Sequence, residues 1–327
     1  MKLKFLALLL SIFIFENSSA QHTDEINTNR PSESMNAFAV GRTVIQLEGG
    51  LNYITEKHPY LDYKASGYFA EMNIRYGFMK EELEFVTELQ YQADKKIGYY
   101  DTINRNGLRN SNIGFKYLIY DPNKYKETKA NVYSWKANHK FNWGQFMPSV
   151  AAFAGANLNF SKNDFAFNKE LISVVSPKAT LITQNQFNGG YVFVSNVFLD
   201  KIGTSSQTLG YIITLTKSIG SKSSAFIENK GLKGTYYSDG IFSGGATYLI
   251  NNNLQVDFSV SKNYKTTPSL FYAGFGVSWR SDTNYKVVKL KPKGAIEGQK
   301  KESKKIKKEK ENRKKLLDGL ENNTKRK

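Results

Sequence analysis

The chain has 327 residues, 46 Lys and Arg against 29 Asp and Glu for a formal net charge of +17, and no cysteine. The lack of cysteine excludes a disulfide framework, a thiol nucleophile, a thiolate metal site and a lipidated cysteine. A mean hydropathy of −0.48 would ordinarily mark a water-soluble protein, and past the N-terminus no run stays apolar for the roughly 18 residues that a membrane-crossing helix needs.

At the start, residues 1–4 are positively charged, residues 5–15 are almost unbroken apolar, and Ser18-Ser19-Ala20 precede Gln21. This is the pattern of a secretory signal peptide over residues 1–20; its apolar core stops at Glu16, too short for a membrane anchor. Residues 21–41 then read as a periplasmic arm or plug, too polar to pack as a domain.

From there alternation dominates. Run 44–53 sets Gln46, Glu48, Gly50 and Asn52 against Ile45, Leu47, Leu51 and Tyr53; run 69–76 sets Glu71, Asn73 and Arg75 against Ala70, Met72, Ile74 and Tyr76. Run 82–92 sets Glu84, Glu88 and Gln90 against Leu83, Phe85, Leu89 and Tyr91, and run 109–120 sets Asn112 and Lys116 against Ile113, Phe115 and Tyr117. Further runs at 147–160, 178–187, 191–199, 208–216, 224–230, 244–250, 254–261 and 270–279 bring the expected number of strands to twelve.

Connections at 77–81, 188–190, 217–222 and 251–253 carry tight-turn residues, whereas 55–65, 92–107, 161–177 and 231–240 read as longer loops. Short turns on one rim and long loops on the other are the asymmetry of outer-membrane barrels, with short turns periplasmic. Residues 121–145 break the rule, as a periplasmic insertion or as a misplaced strand within 131–142. A soluble β-sandwich would alternate too, but runs of ten residues approach bilayer-spanning length, and Tyr53, Tyr76, Tyr91, Tyr117, Tyr120, Phe160, Tyr191, Tyr248 and Trp279 sit near run ends, where interfacial aromatics belong. The expected fold is all-β, an antiparallel transmembrane barrel of about twelve strands over residues 42–280, embedded in outer-membrane lipid.

The residues Asn29-Arg30-Pro31-Ser32-Glu33-Ser34, then Val40-Gly41 and Gln46-Leu47-Glu48-Gly49-Gly50-Leu51-Asn52-Tyr53, resemble the opening of the outer-membrane meta-pathway of phenol degradation family. Phe226-Ile227-Glu228, Asn253-Leu254-Gln255-Val256-Asp257 and the closing Ala273-Gly274-Phe275-Gly276-Val277-Ser278-Trp279-Arg280 resemble its last strands. The resemblance implies a twelve-stranded barrel labelled a transporter. Two features depart from it: Asn29 stands where an Asp is usual, and about 47 residues follow Arg280 where the family barrel tends to stop.

With apolar faces toward lipid, Glu48, Glu71, Glu84, Glu88, Glu228 and Asp257 face the lumen, with Arg75 and Lys116 as counter-charges. They read either as a selectivity lining for a small cationic or polar solute or as a salt-bridged, closed core. Arg30 could insert among these acids as an N-terminal plug, or the arm could stay outside.

Residues 281–327 form a basic tail, with seventeen Lys and Arg against six Asp and Glu from Lys286 onward. Its cations Lys300, Lys301, Lys304, Lys305, Lys307, Lys308, Arg313, Lys314 and Lys315 read as a solvated helix or a disordered segment, periplasmic in either form. Nucleic acid is not an expected partner there; anionic headgroups, acidic wall polymers or an acidic periplasmic protein are. Of the three histidines, His22 lies in the arm and His58 and His139 in expected connections, so no catalytic group, metal site or cofactor motif emerges. Two functions remain open: a channel for small solutes, and a non-conducting accessory subunit of an outer-membrane assembly or secretion complex docking through the tail.

Overall fold

A computed structural model describes residues 25–123, 146–159, 165, 174–283 and 285. All but Asn123 belong to one compact unit. Residues 1–24, whose first twenty read as a signal peptide, residues 124–145, 160–164 and 166–173, and almost all of the tail with its lysines lie outside the described residues.

Twelve strands close into one barrel: β1(Ile45–His58), β2(Tyr63–Gly77), β3(Leu83–Gly98), β4(Thr102–Tyr120), β5(Ser149–Leu158), β6(Val175–Phe187), β7(Tyr191–Asp200), β8(Thr208–Ser218), β9(Ser223–Gly234), β10(Ser238–Asn251), β11(Leu254–Asn263) and β12(Ser269–Ser281). Each pairs antiparallel with its chain neighbours, and β1 pairs with β12 from Ile45↔Ser281 to Lys57↔Ser269, so no edge is left unpaired. β4 pairs directly with β5.

The wall is polar inside and apolar outside. Leu51 is 45% and Phe275 63% exposed on the outer face, whereas Glu48 and Lys116 are fully buried on the inner one. Water would reject that outer face and lipid accepts it, while the closed sheet satisfies every strand's backbone groups internally. A closed, even-numbered antiparallel barrel of this polarity is an outer-membrane barrel.

The four connections expected to be tight are tight. At residues 188–190 the left-handed φ of 84° at Gly189 and 76° at Gly190 meet what the Asn-Gly-Gly sequence allows. Three expected long loops are mostly strand: the β1–β2, β3–β4 and β9–β10 connections shrink to residues 59–62, 99–101 and 235–237. β1 to β4 run 14, 15, 16 and 19 residues, more than the roughly 9–11 that cross a bilayer, so their far ends continue beyond the lipid band. There neither face needs to be apolar: Lys57, Lys64 and Lys95 are exposed, and the alternation that marks a strand fades. Tyr53 and Tyr91 consequently lie within β1 and β3 and not at their ends.

Candidate functional site

Residues 25–44 run across the inside of the barrel, and Arg30 is their deepest tie. Its guanidinium pairs with Glu71 of β2 and reaches Asp257 of β11 through Nη2 at 2.9 Å and Nε at 3.4 Å. Between these acids the wall carries only glycine: Glu71 is opposite Gly50 of β1, Gly50 opposite Gly276 of β12, and Gly276 opposite Asp257. A Cβ at either glycine would collide with the guanidinium, so four adjacent strands form a flat cradle with an acid at each end.

A second cluster occupies β1 to β4. Arg75 holds Glu84 with two bonds, of 3.0 and 3.1 Å, and reaches Glu48 at 3.4 Å, while Lys116 reaches Glu84 at 2.6 Å; all four side chains are buried. The two cations and two acids balance, which makes their burial tolerable. Their remaining capacity serves the crossing segment. Arg75 donates to the carbonyls of Asn27 and Phe38, and Lys116 to those of Asn36 and Phe38. Glu48 accepts from the backbone N–H groups of Asn29 and Arg30, and Glu84 from that of Val40. A chain without secondary structure can lie inside a barrel only if its backbone groups find such partners.

On the opposite wall the partners are mostly neutral. Asn196 of β7 accepts from the Met35 N–H at 2.6 Å and donates to its carbonyl at 3.0 Å; Gln184 of β6 accepts from the Ala37 N–H at 2.9 Å, and Thr214 of β8 bonds Ser34 at 2.9 Å. Glu228 accepts from the Glu33 N–H at 3.1 Å and from Thr214 at 2.7 Å. The Glu33 side chain pairs with Lys230. Burial alone would push the Glu33 carboxyl up, but Lys230 outweighs it by charge and direct hydrogen bonding and holds the carboxyl below the usual range.

The segment is also less polar in effect than its composition implies. Met35, Ala37 and Phe38 pack with Val86, Leu118, Ala151, Phe153 and Ile182 of the inner wall. Short of an independent domain, it shares a small core with the barrel.

Toward the far rim lies a layer that sequence reasoning missed. Arg105 of β4 bonds Asp94 of β3 at 2.8 Å and Glu56 of β1 at 3.2 Å, and Arg109 sits 5.6 Å from the ring centres of both Phe69 and Tyr272. Glu56, Asp94 and Arg105 fall in stretches read as loops. Arg109 is the extra residue where the β3–β4 register shifts between Gln90 and Tyr91, and the bulge changes the phase of alternation there. Cross-strand Arg and acid within hydrogen-bonding register was the available signal, had the strands been extended. Glu88 lies between the layers, bonded to Asn112 at 3.0 Å and Lys178 at 3.5 Å.

The segment does not fill the lumen. Between it and β6 to β11 lies a cavity of about 280 Å³, walled by Gln184, Gln186, Thr214, Thr216, Ser224, Thr247 and Gln255 among others. Among the described residues no group of three or more His, Asp or Glu is placed to hold a metal ion.

A family model described as "Putative MetA-pathway of phenol degradation" matches residues 28–281. No curated protein matches the chain. Among solved structures, an outer membrane channel from Pseudomonas putida F1 is similar over 79% of this chain and 100% of its own, at 8% identity and a TM-score of 0.51. The translocator domain of the autotransporter NalP from Neisseria meningitidis aligns over 74% of this chain and 89% of its own, at 8% identity and a TM-score of 0.44. The CymD monoaromatic hydrocarbon channel does so over 73% and 88%, at 10% identity and a TM-score of 0.38.

Proposed function

The chain belongs to the MetA-pathway phenol-degradation family, and from that premise and its barrel fold we propose that it is an outer-membrane channel for small solutes whose lumen is closed conditionally by residues 25–44. One observation carries this reading: the cation that bonds Glu71 and Asp257 is borne by the crossing segment and not by a strand. A barrel sealed only by its own wall resembles the Arg75, Glu84 and Lys116 cluster, in which every charged partner is fixed to the sheet. A closure carried by a tethered segment can be withdrawn, and withdrawal leaves Glu71 and Asp257 to water in an open lumen. The segment enters from the rim of the tight turns, which in such barrels is periplasmic.

The test is ion conductance in a planar bilayer, comparing the full chain with a variant lacking residues 22–40. Removal is expected to raise single-channel conductance well above that of the full chain. Conductance that stays near zero in both would overturn the reading and favour a non-conducting accessory subunit.

A further inference from the structure

The charges of the lumen are distributed unequally, and the cavity lies on the side that has few. β1 to β4 carry Glu48, Arg75, Glu84 and Lys116, and the crossing segment is tied to that wall by the bonds these groups make. The cavity of about 280 Å³ opens against the other wall, where Gln184, Gln186, Thr214, Thr216, Ser224 and Thr247 supply hydroxyls and amides. Only Glu25 and Arg30 of its lining are charged, and the Arg30 guanidinium is engaged by Glu71 and Asp257. Val194 and Phe226 add apolar surface between the polar groups.

We infer that this cavity is a binding site for small uncharged polar solutes, with hydroxyl or amide groups on a compact carbon frame. The site rests on the channel reading for its use, since it names the class of solute the channel admits. Its volume of about 280 Å³ is enough for a compact solute. A neutral hydroxylated molecule exchanges its hydrogen bonds to water for equivalent ones to Thr, Ser and Gln, which both donate and accept. An ion entering there gives up part of its hydration, and of the two charged lining residues Arg30 is already held by Glu71 and Asp257, so most of what it meets is neutral hydrogen-bonding groups. The apolar residues favour a carbon frame over bulk water.

The absence of cysteine from the chain permits a direct test. Thr216→Cys and, as an independent position in case the first variant folds poorly, Ser224→Cys each place one thiol on the cavity wall. The full-length variants, folded in lipid, are labelled with hydroxyethyl, sulfonatoethyl and trimethylammonioethyl methanethiosulfonates, which are neutral, anionic and cationic reagents of similar size. Each rate is normalised to that reagent's reaction with a free thiol in solution. The neutral reagent is expected to label about tenfold or more faster than either charged one, as burial of an uncompensated charge requires. Equal normalised rates, or faster labelling by either ion, would overturn the inference. Labelling requires no conduction, so a barrel that never conducts refutes the channel reading, whereas loss of the neutral preference refutes the site.

Discussion

Gly50 of β1 stands directly opposite Gly276 of β12, and the Arg30 guanidinium lies against both. The two missing side chains make the space, and the acids flanking them, Glu71 and Asp257, make it attractive to a cation. The family-like stretches around residues 46–53 and 273–280 are thus two halves of one receptor for a residue that precedes both.

Gly50→Ala or Gly276→Ala is expected to displace Arg30 while leaving the barrel folded, because the three atoms nearest the added Cβ all belong to the flexible Arg30 side chain. The readout is raised planar-bilayer conductance with an unchanged β-sheet circular dichroism spectrum. Gly49→Ala, whose Cβ would meet only the Glu71 carbonyl at 3.9 Å, should behave as wild type. Conductance equal in all three variants would contradict a closing role for the cradle.

Arg30→Ala removes the cation from two carboxylates that have little access to water, and is expected to lower stability by about 3 kcal/mol or more by chemical denaturation in lipid. Neutralising both acids at once, with Glu71→Gln and Asp257→Asn in the Arg30→Ala background, should recover most of that loss. Additive losses in the triple variant would show that the pairing contributes nothing.

Glu84→Gln leaves Arg75 and Lys116 with Glu48 as the remaining acid of their cluster and also weakens the bond to the Val40 N–H. Destabilisation of about 3–5 kcal/mol is expected. Lys116→Met should cost less, since Arg75 still holds Glu84 with two bonds. The order of the two urea midpoints checks this, and the reverse order would count against it.

The Glu33 carboxyl is held below its ordinary value of 4.5, so its tie to Lys230 stabilises the seated segment above that pH and is lost as pH falls through the lowered value. Conductance is therefore expected to rise in acid, below about pH 4.5. Glu33→Gln should already conduct more at pH 7 and should lack the Glu33 part of the acid rise, read as the difference between the two titration curves. Identical curves would rule Glu33 out as an anchor.

By itself the sequence determined the barrel: twelve runs with a period of two, a consistent choice of polar and apolar face, and tight-turn residues at alternate connections were legible because lipid demands an apolar outer face at every second residue. The same pattern identified Glu48, Glu71, Arg75, Glu84, Glu88, Lys116, Glu228 and Asp257 as inward-facing. The ends of β1 to β4 were not legible, because outside the lipid band the outer residues are free to be Lys57, Lys64 or Lys95, and the contrast between faces disappears. Nor could alternation show that Arg109 shares the lumen with Phe69 and Tyr272, since a bulge shifts its phase. That Arg30 meets both Glu71 and Asp257 was decided only by closure of the sheet. Register across the β1–β12 seam brings Gly50, residue 30's cradle and Asp257 together from opposite ends of the chain, and a contact spanning 227 positions leaves no periodic trace in the residues that make it.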